Sequence, residues 1–447
     1  MSEKFTIALK TPFTPLVLSM KKVLILGIDG YLGWSLAIHL ANAGHTITGI
    51  DNYWRRKSVK QYGSDSATPI MDMPERLRAF KRFYGKNIDF FEGDLLDYDF
   101  LTEVVKQSSP DAIVHLAEQP SAPYSMINRS SAIFTQHNNI EGTLNVLFAM
   151  KEIVPDAHLV KLGTMGEYGT PNIDIPEGFF EVDYNGRKDV LPFPRQPGSL
   201  YHLSKVHDSG NVHFACKMWK LCSTDIMQGV VYGFRTYEMI DDSLLTRFDF
   251  DECFGTVINR FCAEAIIGYP LTPYGQGKQK RGFIDLVDSI QCLRIAIENP
   301  PLKGEYRVFN QLDQVYGVSI LAEYVRNVAK GLGLDVKIQP TPNPRIEKEE
   351  HYYNVAHDRL RQLGFKPTRT VTETIRIMLQ DLMKFKDRLV HMAELIAPRT
   401  TWSEGRVDKL EVVKREYHHV PTNTHQVGAA AAGCGMSPPS STRQSVT

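Results

Sequence analysis

Lys22-Val23-Leu24-Ile25-Leu26-Gly27-Ile28-Asp29-Gly30-Tyr31-Leu32-Gly33 decides how this 447-residue chain is read. Its apolar start reads as a buried parallel strand. Residues 34–43 continue with the apolar spacing of a helix. Strand, glycine turn and helix, in that order, form the setting of a dinucleotide-binding fingerprint. Gly27 permits a tight turn, Gly30 lets the backbone approach a pyrophosphate, and Gly33 lets the helix pack closely on the strand. Asp29 and Tyr31 lie in the same turn and count among the cofactor candidates. The spacing is G-x-x-G-x-x-G, which by itself marks only a strand-to-helix turn, so the surrounding chain has to settle the matter.

Working outward, a second strand over residues 46–50 closes on Asp51. An acid there accepts hydrogen bonds from an adenosine ribose, which favours NAD over NADP. Asn52, Arg55 and Arg56 follow at once, and the two arginines could instead hold a 2′-phosphate. Residues 58–86, with a helix expected over 74–84, are long for a plain connection and read as an insertion over the cofactor or substrate mouth. A third strand, 88–92, leads to Asp94 and Leu95, where the acid can reach an adenine amine. A fourth, 112–117, carries Leu116 and leaves into Glu118-Gln119. A further helix is expected to open at Asn138 and run to Ala149. The alternation of short strands and helices predicts an α/β fold, a doubly wound parallel sheet.

Composition narrows the partners. The 51 basic and 51 acidic side chains balance, so nothing points to nucleic acid. No apolar run reaches about 18 residues, so membrane insertion is not expected. Six cysteines show neither C-x-x-C pairing nor metal-ligand spacing, which fits reduced core thiols and no metal site. Residues 1–20 form a leader without the features of a secretory signal and short for a transit peptide. This makes the cytoplasm the expected compartment, with the plastid stroma as alternative. Residues 417–447 read as a disordered tail by composition.

The chemistry gathers further along. A fifth strand, 159–163, ends at Thr164, and open α/β sheets bind ligands at such strand ends. Tyr201 and Lys205, four apart, share one helix face. A lysine cation favours the phenolate, which takes a proton from an alcohol as hydride leaves, and Thr164 adds a hydrogen bond to the same oxygen. Y-x-x-x-K alone is common as a solvated pair; together with the strand-end threonine and the upstream nucleotide fold it is far more specific.

From about residue 22 to 388 the chain resembles the extended short-chain dehydrogenase/reductases that act on nucleotide sugars. Unusual strings carry a closer likeness: Glu118-Gln119-Pro120-Ser121-Ala122-Pro123-Tyr124, Thr135-Gln136-His137-Asn138-Asn139, Lys161-Leu162-Gly163-Thr164-Met165-Gly166-Glu167-Tyr168-Gly169, Tyr201-His202-Leu203-Ser204-Lys205 and Glu350-His351-Tyr352-Tyr353-Asn354. They match the branch that joins sulfite to UDP-glucose to make a sulfolipid head-group donor. The resemblance implies an NAD-binding Rossmann domain at 21–235 and a UDP-sugar lobe at 236–398, from which strands may cross back to the main sheet. It also implies UDP-glucose and sulfite as substrates, and a homodimer.

By residue, the likeness implies Gln228 and Val231, at the end of a sixth strand, near nicotinamide and sugar. Residues 271–285 match a nucleotide-holding hairpin. In it Thr272 and Tyr274 lie by the uracil, Gln279 touches the substrate, and Arg281 pairs with the diphosphate through its two-pronged fork. Arg345 is a second diphosphate arginine with Tyr353 packed beneath, and Gln119 contacts substrate. Related dehydratases carry Asp and Glu directly after the strand-end threonine, where this chain has Met165 and Gly166. That disfavours a plain dehydratase and makes Glu167 and His202 the candidates for acid/base work. A UDP-sugar epimerase or dehydratase, or a non-catalytic nucleotide sensor, are the rival readings.

Overall fold

A computed structural model describes residues 20–406. The expected leader, Met20 apart, and the expected tail lie outside them.

Seven parallel strands build the main sheet. They are β1 (Lys22–Leu26), β2 (Thr46–Asp51), β3 (Asp89–Glu92), β4 (Ala112–His115), β5 (His158–Thr164), and two further along the chain. Between β5 and the next of these stands a separate antiparallel pair, β6 (Phe179–Tyr184) with β7 (Arg187–Pro192). The sheet then takes β8 (Cys222–Gln228), and after β9 (Val230–Tyr232) and β10 (Lys280–Asp285) it takes β11 (Tyr306–Gln311). Spatial order is β11-β8-β5-β4-β1-β2-β3. The direction of winding reverses between β1 and β4, so their carboxyl ends open a crevice. Both faces are covered, which is why β1, β4 and β8 are almost continuously buried.

One apolar layer gathers α1 (Tyr31–Ala43) and, later in the chain, the helix Leu286–Glu298 on one face of the sheet. The opposite layer is built from the helices Tyr98–Ser108, Gly142–Ile153 and Leu200–Trp219, here α2, α3 and α4. Tyr201 and Lys205 ride on α4. The helix expected from Asn138 in fact begins at Arg129 and passes through a π-helical turn, His137–Glu141, before α3. In that turn Asn139 turns inward, receives Gln119 N–H at 2.8 Å and donates to Ser204 Oγ at 2.9 Å, tying it to α4. The expected insertion over the mouth backs the glycine turn instead: fully buried Arg76 from helix Met73–Tyr84 donates to Asp29 at 2.9 Å.

Two expectations about the second lobe change. The sixth strand does not run on to Gly233. It ends at Gln228, and after Gly229 the chain enters a different sheet, in which β10 pairs in parallel with β9 and antiparallel with β12 (Gln314–Gly317). A Cβ on Gly229 would stand 2.7 Å from the Gly282 carbonyl oxygen, so this crossing of backbones requires glycine. Nor do residues 271–285 form a hairpin. Leu271 and Tyr274 pair with Ile338 and Thr341, and β10 goes to its own neighbours. β11 crosses back to the main sheet beside β8. The five cysteines among the described residues are all buried and free.

Candidate active site

One cavity of about 690 Å³ runs along the carboxyl edge of the sheet. That is the size of a small-molecule site. The glycine turn forms one end. Gly27 has φ +87°, and a Cβ on Gly33 would lie 2.0 Å from the Gly27 carbonyl oxygen, so strand and helix meet only because neither carries a side chain. Gly30 caps α1 without a side-chain bond, leaving backbone N–H groups at the positive end of the helix. Tyr31 donates to the Gly233 carbonyl at 2.5 Å and joins the turn to the end of β9.

Asp51 ends β2 as expected, and it already receives the N–H groups of Asp29 (2.8 Å) and Tyr53 (2.7 Å). Burial, then the neighbouring Asp29, raise its carboxyl to about 6. Asn52 donates to Asp94 at 2.8 Å, so the two candidate adenosine contacts are held together. Arg55 binds Asp249 at 2.9 Å, and Arg56 binds Asp29 at 2.6 Å. A 2′-phosphate would have to displace these carboxylates, which argues for NAD. One guanidinium nitrogen each of Arg55 and Arg247, both on the cavity wall, is buried with no partner. Such donors suit the pyrophosphate of a dinucleotide.

Thr164, Tyr201, His202 and Lys205 line the middle of the cavity with Gln228 and Val231. Ser199 caps α4, and Ser125 Oγ accepts the Tyr201 N–H at 3.0 Å, which fixes the first turn of the helix. His202 Nδ1 meets Ser199 Oγ at 3.0 Å. Burial, then the cations Arg345 and Arg281, push this imidazole down to about 3, so it is neutral at physiological pH. Its ring occupies the room above Gly166: a Cβ there would fall 2.2 Å from His202 Nε2. A side chain at position 166 and the observed place of His202 therefore exclude each other.

The far end carries cations. Arg281 bonds His351 Nε2 at 2.7 Å and pairs with Glu347. Arg345 lies 5.2 Å from the Trp402 ring, its Nε buried without a partner. Tyr274, Gln279 and Tyr353 line the same end.

A model of the NAD dependent epimerase/dehydratase family matches residues 23–310. Over 389 residues the chain is 50% identical to the UDP-sulfoquinovose synthase of Sulfolobus acidocaldarius, covering 87% of this chain and 99% of that one. Over 385 residues it is 49% identical to the chloroplastic UDP-sulfoquinovose synthase of Spinacia oleracea, covering 86% and 80%. The chain belongs to the UDP-sulfoquinovose synthase family. Among solved structures, the UDP-glucose 4-epimerase of Thermotoga maritima with UDP-glucose matches with a TM-score of 0.61 and 18% identity over 81% of this chain and 98% of that one. That of Bifidobacterium longum with NAD+ and UDP matches with 0.61 and 18% over 82% and 99%. These two likenesses concern the fold.

Four expected site residues of this UDP-sulfoquinovose synthase family member do not reach the cavity. Gln119 is fully buried and turned inward, donating to Ser121 O at 3.0 Å and Thr135 Oγ1 at 2.8 Å. Arg56 is spent on Asp29. Thr272 gives both its N–H (3.0 Å) and hydroxyl (2.5 Å) to Glu264. Glu167 sits behind the sheet edge, fully buried, between Arg195 at 2.7 Å and Lys161 at 3.5 Å, with Ser209 at 2.8 Å. It also accepts the Thr164 N–H at 3.3 Å, which ties it to the strand end.

Other lining residues escaped sequence reasoning. Arg260 stacks 4.3 Å from the Tyr274 ring, and Trp402 reaches in from a late two-stranded turn, β13 (Thr400–Thr401) with β14 (Gly405–Arg406). No local pattern marks them. Glu118 had a signal, an acid directly past a strand end: it bonds Lys205 Nζ at 2.5 Å.

Proposed function

We propose that the chain converts UDP-glucose and sulfite to UDP-sulfoquinovose, the sulfolipid head-group donor, with NAD held on the glycine turn. The observation that carries this reading is the convergence of Thr164, Tyr201 and Lys205 on one cavity with that turn, in a chain half identical to two enzymes of that name. NAD, when bound along the glycine turn, would supply the hydride acceptor and donor for sugar carbon 4. Tyr201 takes the carbon-4 hydroxyl proton, Thr164 hydrogen-bonds the same oxygen, and Lys205 orients the ribose and favours the phenolate. The 4-ketone acidifies carbon 5. Loss of the carbon-5 proton and the carbon-6 hydroxyl as water leaves a 4-keto-5-ene; sulfite adds at carbon 6 and a proton returns to carbon 5. Return of hydride and the Tyr201 proton restores the alcohol. His202, beside Tyr201 with ring centroids 5.1 Å apart, is placed to act at carbon 6 of the sugar. Arg281, Arg345 and Arg260 suit the diphosphate, with Tyr274 by the uracil.

The test is mass spectrometry of products from purified protein given UDP-glucose, with and without sulfite. A sulfite-dependent UDP-sulfoquinovose peak is expected. UDP-galactose or a 4-keto sugar unchanged by sulfite would give the reaction to an epimerase or dehydratase instead.

The proposed assembly is a homodimer packed through α3 and α4. Its support is an apolar stripe of half-exposed Phe148, Phe214 and Met218 around Trp219. The proposed compartment is the cytoplasm. No helix among the described residues is long and apolar enough to cross a membrane. Microscopy of the tagged full chain distinguishes the cytoplasm from the plastid, the site named for the spinach relative.

A further inference from the structure

A lysine that assists a tyrosine base does so as a cation. In this chain that cation is already matched. Glu118, just past β4, places Oε2 2.5 Å from Lys205 Nζ, and both side chains are almost fully buried. The other carboxylate oxygen of Glu118 has no hydrogen-bond partner. Glu118 and Lys205 both line the cavity beside Tyr201.

Among the groups around the pair Glu118 contributes most to holding the Lys205 charge, ahead of Asp208 and Glu167. His115 on β4 stands 3.8 Å from Glu118, and burial pushes its imidazole down to about 4, so it is uncharged. Lys161 on β5 is held by Asp225 at 3.4 Å and Glu167 at 3.5 Å. Asp208, one turn beyond Lys205 on α4, is buried with both oxygens unpartnered. Burial, then Glu118, raise its carboxyl well above the ordinary range. Among the described residues, Glu118 is the one carboxylate at ion-pair distance from Lys205.

We propose that Glu118 is a positioning residue that offsets the Lys205 charge, so that Tyr201 both takes the carbon-4 proton and gives it back within one turnover. The inference rests on the reading of Tyr201 as the base. An unmatched cation a few ångströms from a buried phenol stabilises the phenolate strongly. That speeds the first transfer and hinders the second. Paired with a carboxylate, the lysine presents a dipole, and the proton moves between tyrosine and sugar oxygen with little net bias. Burial raises the Tyr201 phenol, and Glu118 is the next contributor, in keeping with this role.

The test compares wild type with Glu118→Gln. Reduced nicotinamide formed on adding UDP-glucose without sulfite is followed by absorbance across pH. The midpoint of the rising limb is expected to move to lower pH by about one unit in the variant, a tenfold change in proton affinity. A superimposable profile would overturn the inference while leaving the proposed reaction intact. Tyrosinate absorbance, read as the difference between each protein and its Tyr201→Phe derivative without cofactor, gives the same comparison should wild type reduce no cofactor. An unmoved midpoint there also overturns it. Should Glu118→Gln not fold, Glu118→Asp is expected to shift the midpoint in the same direction by less, and no shift counts against the proposal.

Discussion

Gly166 and His202 show how one position shapes the chemistry available at the next. With no side chain at 166, the imidazole drops against the 3₁₀ turn that follows Thr164. Gly166→Ala keeps ordinary backbone angles, so the protein should fold, but the new methyl drives His202 from its place. A shift of about 1 Å near reacting atoms can cost on the order of 100-fold, and kcat is expected to fall by about that much with cofactor affinity unchanged. A variant with normal kcat would remove His202 from the reaction. Glu167 predicts the opposite balance. Glu167→Gln leaves Arg195 and Lys161 short of a counter-ion in a buried cluster, a loss of about 3–5 kcal/mol. Urea denaturation should record that loss, while kcat of the folded fraction stays within about tenfold. A collapse of kcat with stability intact would return Glu167 to proton transfer.

Among elements, the late turn β13–β14 ties distant parts of the cavity together. Trp402 Nε1 donates to Gly198 O at 2.6 Å just before α4, and its N–H donates to Pro344 O at 2.9 Å beside Arg345. Trp402→Ala removes both the indole bond and the ring under Arg345. UDP affinity by calorimetry is expected to weaken about tenfold, in line with a cation–π contact of ~0.5–2 kcal/mol and a freed arginine. Unchanged affinity would exclude Arg345 from the diphosphate site. In helix Val257–Ile267, buried Glu264 anchors Thr272. Burial raises its carboxyl from 4.5 to about 7. The folded state thus holds this proton more tightly than the unfolded chain. The associated stability is present below pH 4.5 and lost as pH rises through 7. Relative to Glu264→Gln, wild type should lose up to ~3 kcal/mol between mildly acid and mildly alkaline solution, as read by urea midpoints. Parallel behaviour of the two proteins would contradict a protonated Glu264.

At the scale of the molecule, the residues expected to form a second lobe are interleaved with the main sheet: β10 pairs with β9 and β12, and β11 returns beside β8. Phe148 on α3 and Phe214 and Met218 on α4 form one exposed apolar stripe on the outside of the helix that carries Tyr201. Phe214→Glu with Met218→Glu places like charges in the proposed seam, and light scattering is expected to show a monomer. Persistence of a dimer would move the interface elsewhere.

The alternation of the first strands with helices and the glycine turn were legible in the sequence because each depends on neighbours along the chain: apolar runs, turn residues and strand-end acids act over a few positions. The Thr164, Tyr201 and Lys205 set was legible for the same reason, since strand ends and a four-residue helical step locate it. What faces the cavity was not. Gln119, Arg56, Thr272 and Glu167 turn away because Ser121 and Thr135, Asp29, Glu264, and Arg195 with Lys161 satisfy their polar groups in burial. Glu118, Arg247, Arg260 and Trp402 turn in because of where the strands, α4 and the late turn come to rest. Local pattern determined the scaffold and the places of Thr164, Tyr201 and Lys205 on it. Only tertiary packing, through the need to pair buried charge, decided which of the remaining side chains face the cavity.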